Sequence, residues 1–248
     1  MEVHHHAHSA RQKWTHYFWE FLMLFLAVFC GFLAEYYLEH TIEHNREKQF
    51  INSLVRDIEA DTVQLSNIKG FRFDRLRKID SVTRLLSKKP AGSVDVHRLR
   101  LFQDLRGHVS FYQNSGTLDQ LKNAGGLRLI RNRRVVDSIQ GYDQQIRRMF
   151  LRDNFETEEM RYTLRLAYKL IDGVLLTNLS IDTAYLTNQS LKRGVSKAVN
   201  MNSQYLGEYL NSLASFRFVV INNMSLQGMI TKKAENLLTL IKAEYDLK

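Results

Sequence analysis

Histidine and glutamate spaced one helical turn apart are residues with which a chain readily holds zinc, and His40-Thr41-Ile42-Glu43-His44 fits H-x-x-E-H. In that arrangement two imidazoles on one helix face bind the metal and the glutamate acts as general base in hydrolysis. Three fixed positions in five arise readily in a helix rich in Glu and His, and no third ligand can be assigned. The stretch is therefore read first as a solvated helix face, with a zinc hydrolase using His40, Glu43 and His44 as an alternative. His4, His5, His6 and His8 form a second imidazole cluster. Closely spaced neutral imidazoles chelate Zn, Ni or Cu when offered, so these are weak metal candidates, with adventitious binding as the plainer reading. No cofactor is expected.

Two carboxylates, Glu20 and Glu35, stand in an otherwise apolar run. An ionisable group inside a membrane span costs about 2.5 to 3.5 kcal/mol at mid-bilayer and marks function by default. Near an edge the cost falls, and Glu20 can reach the interface towards His16, four residues earlier. Arg128, Arg131, Arg133 and Arg134 follow Gly125-Gly126. Backbone amides beside guanidiniums can hold a phosphate or carboxylate, although such a run more often marks an exposed turn and helix start. No P-loop, dinucleotide loop or Ser-His-Asp order is present. Cys30 is the only cysteine, which rules out an intramolecular disulfide and a thiolate metal site.

The element that must position Glu20 and Glu35 is the stretch from Tyr17 to Leu38. At 1.5 Å per residue it rises roughly 33 Å, enough to cross a hydrocarbon core of about 30 Å with slight tilt. Trp14, Tyr17 and Trp19 at one end and Tyr36 and Tyr37 at the other suit two interfacial aromatic belts. Bulky Phe32-Leu33 and the late position of the apolar run argue against a cleaved signal peptide. The expected organisation is a mobile His-rich tail at 1–16, a transmembrane helix at 17–38 and an extramembrane helical domain at 39–248. Orientation is not decided by charge, because Arg11 and Lys13 flank one side and Arg46, Lys48 and Arg56 the other.

The 248 residues include one proline and carry a net charge of +9. The paucity of breakers points to an all-α fold, in which the transmembrane helix continues into a long helix followed by a helical bundle. Phe50, Leu54, Ile58, Leu65 and Ile68 recur at helical spacing, and Gly70 is a candidate bend before Leu76, Ile79, Val82 and Leu86. A short helix is expected over 95–105. Beyond it, Ser115 is a candidate N-cap, Gly125 or Gly126 a left-handed stop, and Asn132 the cap of a helix burying Val135, Val136, Ile139, Ile146 and Met149. Another helix is expected from near Thr157 to Leu176, with Met160, Leu164, Tyr168 and Ile171 along one stripe. A polar loop over 177–203, with a short helix near 191–199, precedes a last helix from Gln204 to Tyr245. Gly207, Gly228 and Asn222-Asn223 are its candidate kinks.

Two stretches carry a family resemblance. Met1-Glu2-Val3-His4-His5-His6 with the Glu20 to Glu35 anchor is one; the other is Ser115-Gly116-Thr117-Leu118, Leu121-Lys122-Asn123, Gly126, Leu129-Ile130, Asn132 and Tyr142. In both, the chain resembles uncharacterised bacterial single-pass membrane proteins with one N-terminal anchor and a helical domain. The resemblance implies a Gram-negative inner-membrane protein, N-terminus cytoplasmic and helical domain periplasmic, and it carries over no catalytic residue.

The expected function is thus a membrane-anchored helical interaction protein, acting as scaffold, sensor or accessory subunit of an envelope complex, without catalysis. Its expected partners are the lipid bilayer and a protein partner or further copies of itself. Nucleic acid is not expected, since no binding motif accompanies the basic charge. An oligomeric ion- or proton-coupled membrane component using Glu20 is the other alternative.

Overall fold

Between Trp14 and Ser87 the chain has no proline and only two glycines, Gly31 and Gly70, and it forms one uninterrupted helix, α1 (Trp14–Ser87). The computed structural model describes residues 14–88, 102, 104–123, 125–171 and 203–247. The histidine tail and the stretches expected as helix over 95–101 and as loop and helix over 177–202 lie outside these residues. Among these residues three more α-helices follow: α2 (Gly116–Asn123), α3 (Arg133–Leu170) and α4 (Ser203–Glu244). A 3-10 turn at Gly126–Leu129 separates α2 from α3. No strand occurs among the described residues, and the fold is all-α.

The chain divides into two compact units, Met1–Phe50 and Ile51–Lys248, with the boundary inside α1. The division falls later than Leu38 because residues 39–50 remain largely exposed. In the first unit, the apolar window of α1 has a mean hydropathy of 2.0 with none of it buried. It is long and apolar enough to cross a membrane by length and composition. Phe21, Phe25 and Phe29 stack along one side of it, with ring centroids 6.2 and 5.9 Å apart.

In the second unit the three long helices share one rule of burial. On α1 the buried positions step alternately by three and four residues: Ile51, Leu54, Ile58, Asp61, Leu65, Ile68, Arg72, Arg75, Ile79, Val82 and Leu86. On α3 the series is Val135, Ile139, Tyr142, Ile146, Met149, Asp153, Glu156, Met160, Thr163, Ala167 and Leu170. On α4 it runs Leu206, Tyr209, Leu213, Phe216, Val220, Asn223, Gln227, Ile230, Ala234, Leu237 and Ile241. A repeat of 3.5 residues held this long is the pattern of helices packed knobs into holes.

Directions follow from the pairings. Tyr142 meets Asp61, Asp153 meets Arg72 and Glu156 meets Arg75, each 81 residues apart, so α3 runs parallel to α1. Lys242 pairs with Glu59 and Arg217 with Asp80, so α4 runs antiparallel to both. Parallel neighbours need a connection that returns the full length. Here it descends α1 as an extended strap. The backbone of Gly107 accepts from Arg75, Tyr112 exchanges hydrogen bonds with Gln64, Asn114 donates to Asp61 and the Thr117 amide donates to Asp57. Ten extended residues reach roughly 33 Å, which suffices for the eighteen helical residues, about 27 Å, from Arg75 back to Asp57.

Several sequence expectations are corrected. Helical bonding passes through Gly70 without a break. The helices expected to divide near Thr157 are one helix, α3, which ends at Leu170 rather than Leu176, with extended Ile171 as its C-cap. Its buried stripe there is Met160, Thr163, Ala167 and Leu170, while Tyr168 is exposed and Leu164 and Val136 are half-buried. Neither Gly207, Gly228 nor Asn222-Asn223 interrupts α4. Asn132 caps α3 through its side chain and Gly125 adopts φ 66°, as expected. The first turn of α2 is reached by the Asp57 carboxylate, 3.4 Å from the Thr117 amide, while the Ser115 carbonyl accepts from Asp119.

Candidate functional site

The heptad seam places polar side chains at neighbouring core positions of all three helices at one level. Arg72 and Arg75 come from α1, Asp153 and Glu156 from α3, Asn223 and Gln227 from α4, and all six are buried. On one side of this layer lies the apolar cluster of Ile79, Val82, Leu86, Met160, Leu213 and Phe216. On the other stand Ile58, Leu65, Ile146 and Ile230, also buried.

Glu156 is the hub of the layer. Its Oε2 accepts from Arg72 Nε at 3.0 Å and from Asn223 Nδ2 at 2.7 Å, and its Oε1 accepts from Arg75 Nη1 at 2.7 Å. Arg72 also donates Nη2 to Asp153 Oδ1 at 2.5 Å and Nη1 to Gln227 Oε1 at 3.0 Å. Gln227 donates in turn to the Leu65 carbonyl, and Asn223 to that of Arg152. The Arg75 guanidinium lies 4.7 Å from the Phe71 ring centroid and 5.4 Å from that of Phe216, a favourable seat for a desolvated cation. Two positive and two negative groups balance within the layer. Burial still pushes the Asp153 carboxyl above its ordinary range, with the Arg72 charge and hydrogen bond pulling the other way. Arg75 Nε and Asn223 Oδ1 have no hydrogen-bond partner among the described residues.

A second buried group ties the strap to the helices. Asp61 accepts from the Tyr142 hydroxyl at 2.8 Å and from the amide and side chain of Asn114, both at 2.9 Å. Burial and the Asp61 charge raise the Tyr142 phenol above its usual value. Much of the stretch from Ser115 to Tyr142 has a structural task. Thr117 docks on Asp57, Leu118 and Leu121 are buried, Gly126 lies against Leu121, Asn132 caps α3 and Tyr142 reaches Asp61.

The residues singled out from the sequence stand apart from these groups. Glu20 and Glu35 are exposed on the apolar part of α1, with His16, Trp19, Met23, Leu24 and Ala27 around Glu20. His40 is exposed and stacks on Tyr36 at 6.0 Å, while His44 and Glu43 are half-buried, His44 Nδ1 lying 3.5 Å from Glu47. No three His, Cys, Asp or Glu side chains stand together as a metal site among the described residues. Arg128, Arg131, Arg133 and Arg134 are all exposed, and Asn132 Oδ1 takes the Arg134 amide at the start of α3. His4, His5, His6 and His8 lie outside the described residues.

Sequence reading missed the polar layer because an isolated Arg or Glu on a helix usually marks a solvated face. The signal was present as the unbroken three-and-four spacing through those residues. A closed, charge-balanced layer at this depth can fix helix register, but it offers no access for a substrate. No protein-family model, curated protein or solved structure matches this chain.

Proposed function

We propose that this chain is a single-pass, membrane-anchored helical interaction protein of the bacterial envelope. The observation that carries the reading is α1 itself. One continuous helix has a wholly exposed apolar start and a heptad core at its end, so the segment suited to lipid and the segment that organises the bundle are one element. Such a helix mounts a protein surface at a bilayer. The most concentrated polar chemistry among the described residues is buried in the bundle and spent on register, which favours a scaffold, sensor or accessory subunit over an enzyme.

The resemblance of the N-terminal stretch supports placing the anchor in the inner membrane, with the N-terminus cytoplasmic and the bundle periplasmic. A reporter active only in the periplasm, fused after Lys248, is expected to be active. Activity of a cytoplasm-only reporter at that position would reverse the orientation. A second reading, an oligomeric proton-coupled component, is favoured by Glu20 standing exposed on the apolar helix one turn from His16. It requires that Glu20→Gln abolish a proton flux through reconstituted chain, whereas the anchor reading expects that variant to keep its partners.

A further inference from the structure

Three helices packed side by side leave three outer grooves, and this bundle treats them differently. The α1–α3 groove is covered by the strap, whose Phe111 is buried with its ring 6.4 Å from that of Phe150. The α1–α4 groove is bridged by Arg217–Asp80 at 2.7 Å and Lys242–Glu59 at 2.9 Å. Across the outer side of the α3–α4 groove, the side-chain bridges among the described residues stand at its far end, Lys169–Glu208 at 3.8 Å and the Ser215 hydroxyl donating to Glu159 at 3.0 Å, with Asn223 reaching the Arg152 carbonyl deeper between the helices. Below that end it is open, floored by Leu226 and walled by Leu151 and Met229, which are 71% and 53% exposed. Phe155 lies one turn beyond Leu151, and Phe218 one turn before Asn222; both are exposed.

We propose that this open stretch docks an acidic amphipathic helix of a partner protein, an inference that rests on the interaction reading above and names its surface. Large apolar side chains clustered in the open mark a binding site. A groove between two antiparallel helices takes the apolar stripe of another helix, just as the inner side of the same pair takes α1. Its concavity suits a cylinder better than a flat layer of head groups. Charge selects the partner, because the charged residues lining it are Arg148 and Arg152, and neither pairs with a carboxylate among the described residues. Lys233 extends the positive run, its Nζ 3.5 Å from where a Cβ on Gly141 would stand. A second copy anchored in the same bilayer would bring Arg148 and Arg152 against their own counterparts, and like charges across an interface reject that pairing.

The test uses the full chain in detergent micelles and a labelled synthetic helix of about three heptads, long enough to be helical on binding, with Leu on one face and Glu on its flanks. A twin peptide carries Lys in place of Glu. The Glu helix is expected to bind at least about tenfold more tightly than the Lys helix, and Arg148→Glu with Arg152→Glu to reverse that preference. Leu151→Asp with Met229→Asp, both at exposed positions, is expected to abolish binding while the melt of the bundle is unchanged. Equal affinity for the two peptides, binding indifferent to these substitutions, or a concentration-dependent dimer lost in Leu151→Asp would overturn the proposal. A protein that co-purifies with the native chain and is retained by the Asp variants would overturn the groove assignment while leaving the interaction function standing.

Discussion

Glu156 shows what a buried charge does in this bundle. It accepts from Arg72, Arg75 and Asn223, so Glu156→Ala leaves the buried Arg75 guanidinium without a carboxylate and Arg72 with that of Asp153 alone. Removing one member of a buried ion network costs about 3 to 5 kcal/mol, whereas exchanging the whole network for packed apolar residues is often neutral or stabilising by about 1 to 4 kcal/mol. Urea midpoints are expected to fall strongly for Glu156→Ala and to hold or rise when all six layer residues become apolar. A mild Glu156→Ala would mean that the layer is hydrated and its charges are not dependent on one another. Asp61 adds a dependence on pH. Burial pushes its carboxyl above the ordinary value, with the bonds from Asn114 and Tyr142 opposing the rise. The folded chain therefore takes up this proton at higher pH than the unfolded chain. Stability from this group grows as pH falls from neutral towards about 4 and is withdrawn as pH rises through the folded value. Compared with Asp61→Asn across that range, the wild-type chain is expected to gain relative stability on acidification; a relative loss would show that the ionised, hydrogen-bonded form is the favoured one.

At the scale of the element, glycines separate what the helices tolerate from what the connections require. Gly70 is exposed within α1 and a Cβ there meets nothing within 4 Å, so Gly70→Ala is expected to stabilise by about 0.5 to 1 kcal/mol. A Cβ on Gly126 would come within 3.3 Å of the Leu121 Cα and 3.1 Å of its Cδ2, so Gly126→Ala is expected to cost about 1 to 3 kcal/mol through overpacking. Thermal melts of the two variants shifting in the same direction would contradict this account of the α2–α3 corner. The helices, the caps at Asn132 and Gly125 and most apolar core positions were legible from spacing alone. Helical bonding runs on through the bend expected at Gly70, the division expected near Thr157 and the kinks expected at Asn222-Asn223. Each lies beside a polar pair of the buried layer, Arg72 and Arg75, Asp153 and Glu156, or Asn223 and Gln227. Polar residues at core positions interrupt the apolar pattern without interrupting the helix. The strap was illegible for another reason, since an extended segment held by side chains of another helix has no period of its own.

For the whole molecule, attachment and folding fall to different stretches of the chain. The heptad core begins at Ile51, the compact unit Ile51–Lys248 contains the three-helix seam, and the apolar start of α1 buries nothing within the protein. The exposed apolar start of α1 is long enough to cross a bilayer, while the described core of the bundle is buried between its own helices. The measurement that tests this most directly is carbonate extraction of membranes from cells making the full chain, beside cells making a chain that lacks residues 1–38. The full chain is expected to stay in the pellet, and the shortened chain to be soluble, mainly helical by circular dichroism and cooperative on melting. Release of the full chain by carbonate, or a shortened chain that remains in the pellet or melts without cooperativity, would contradict the claim that one helix anchors a self-sufficient bundle.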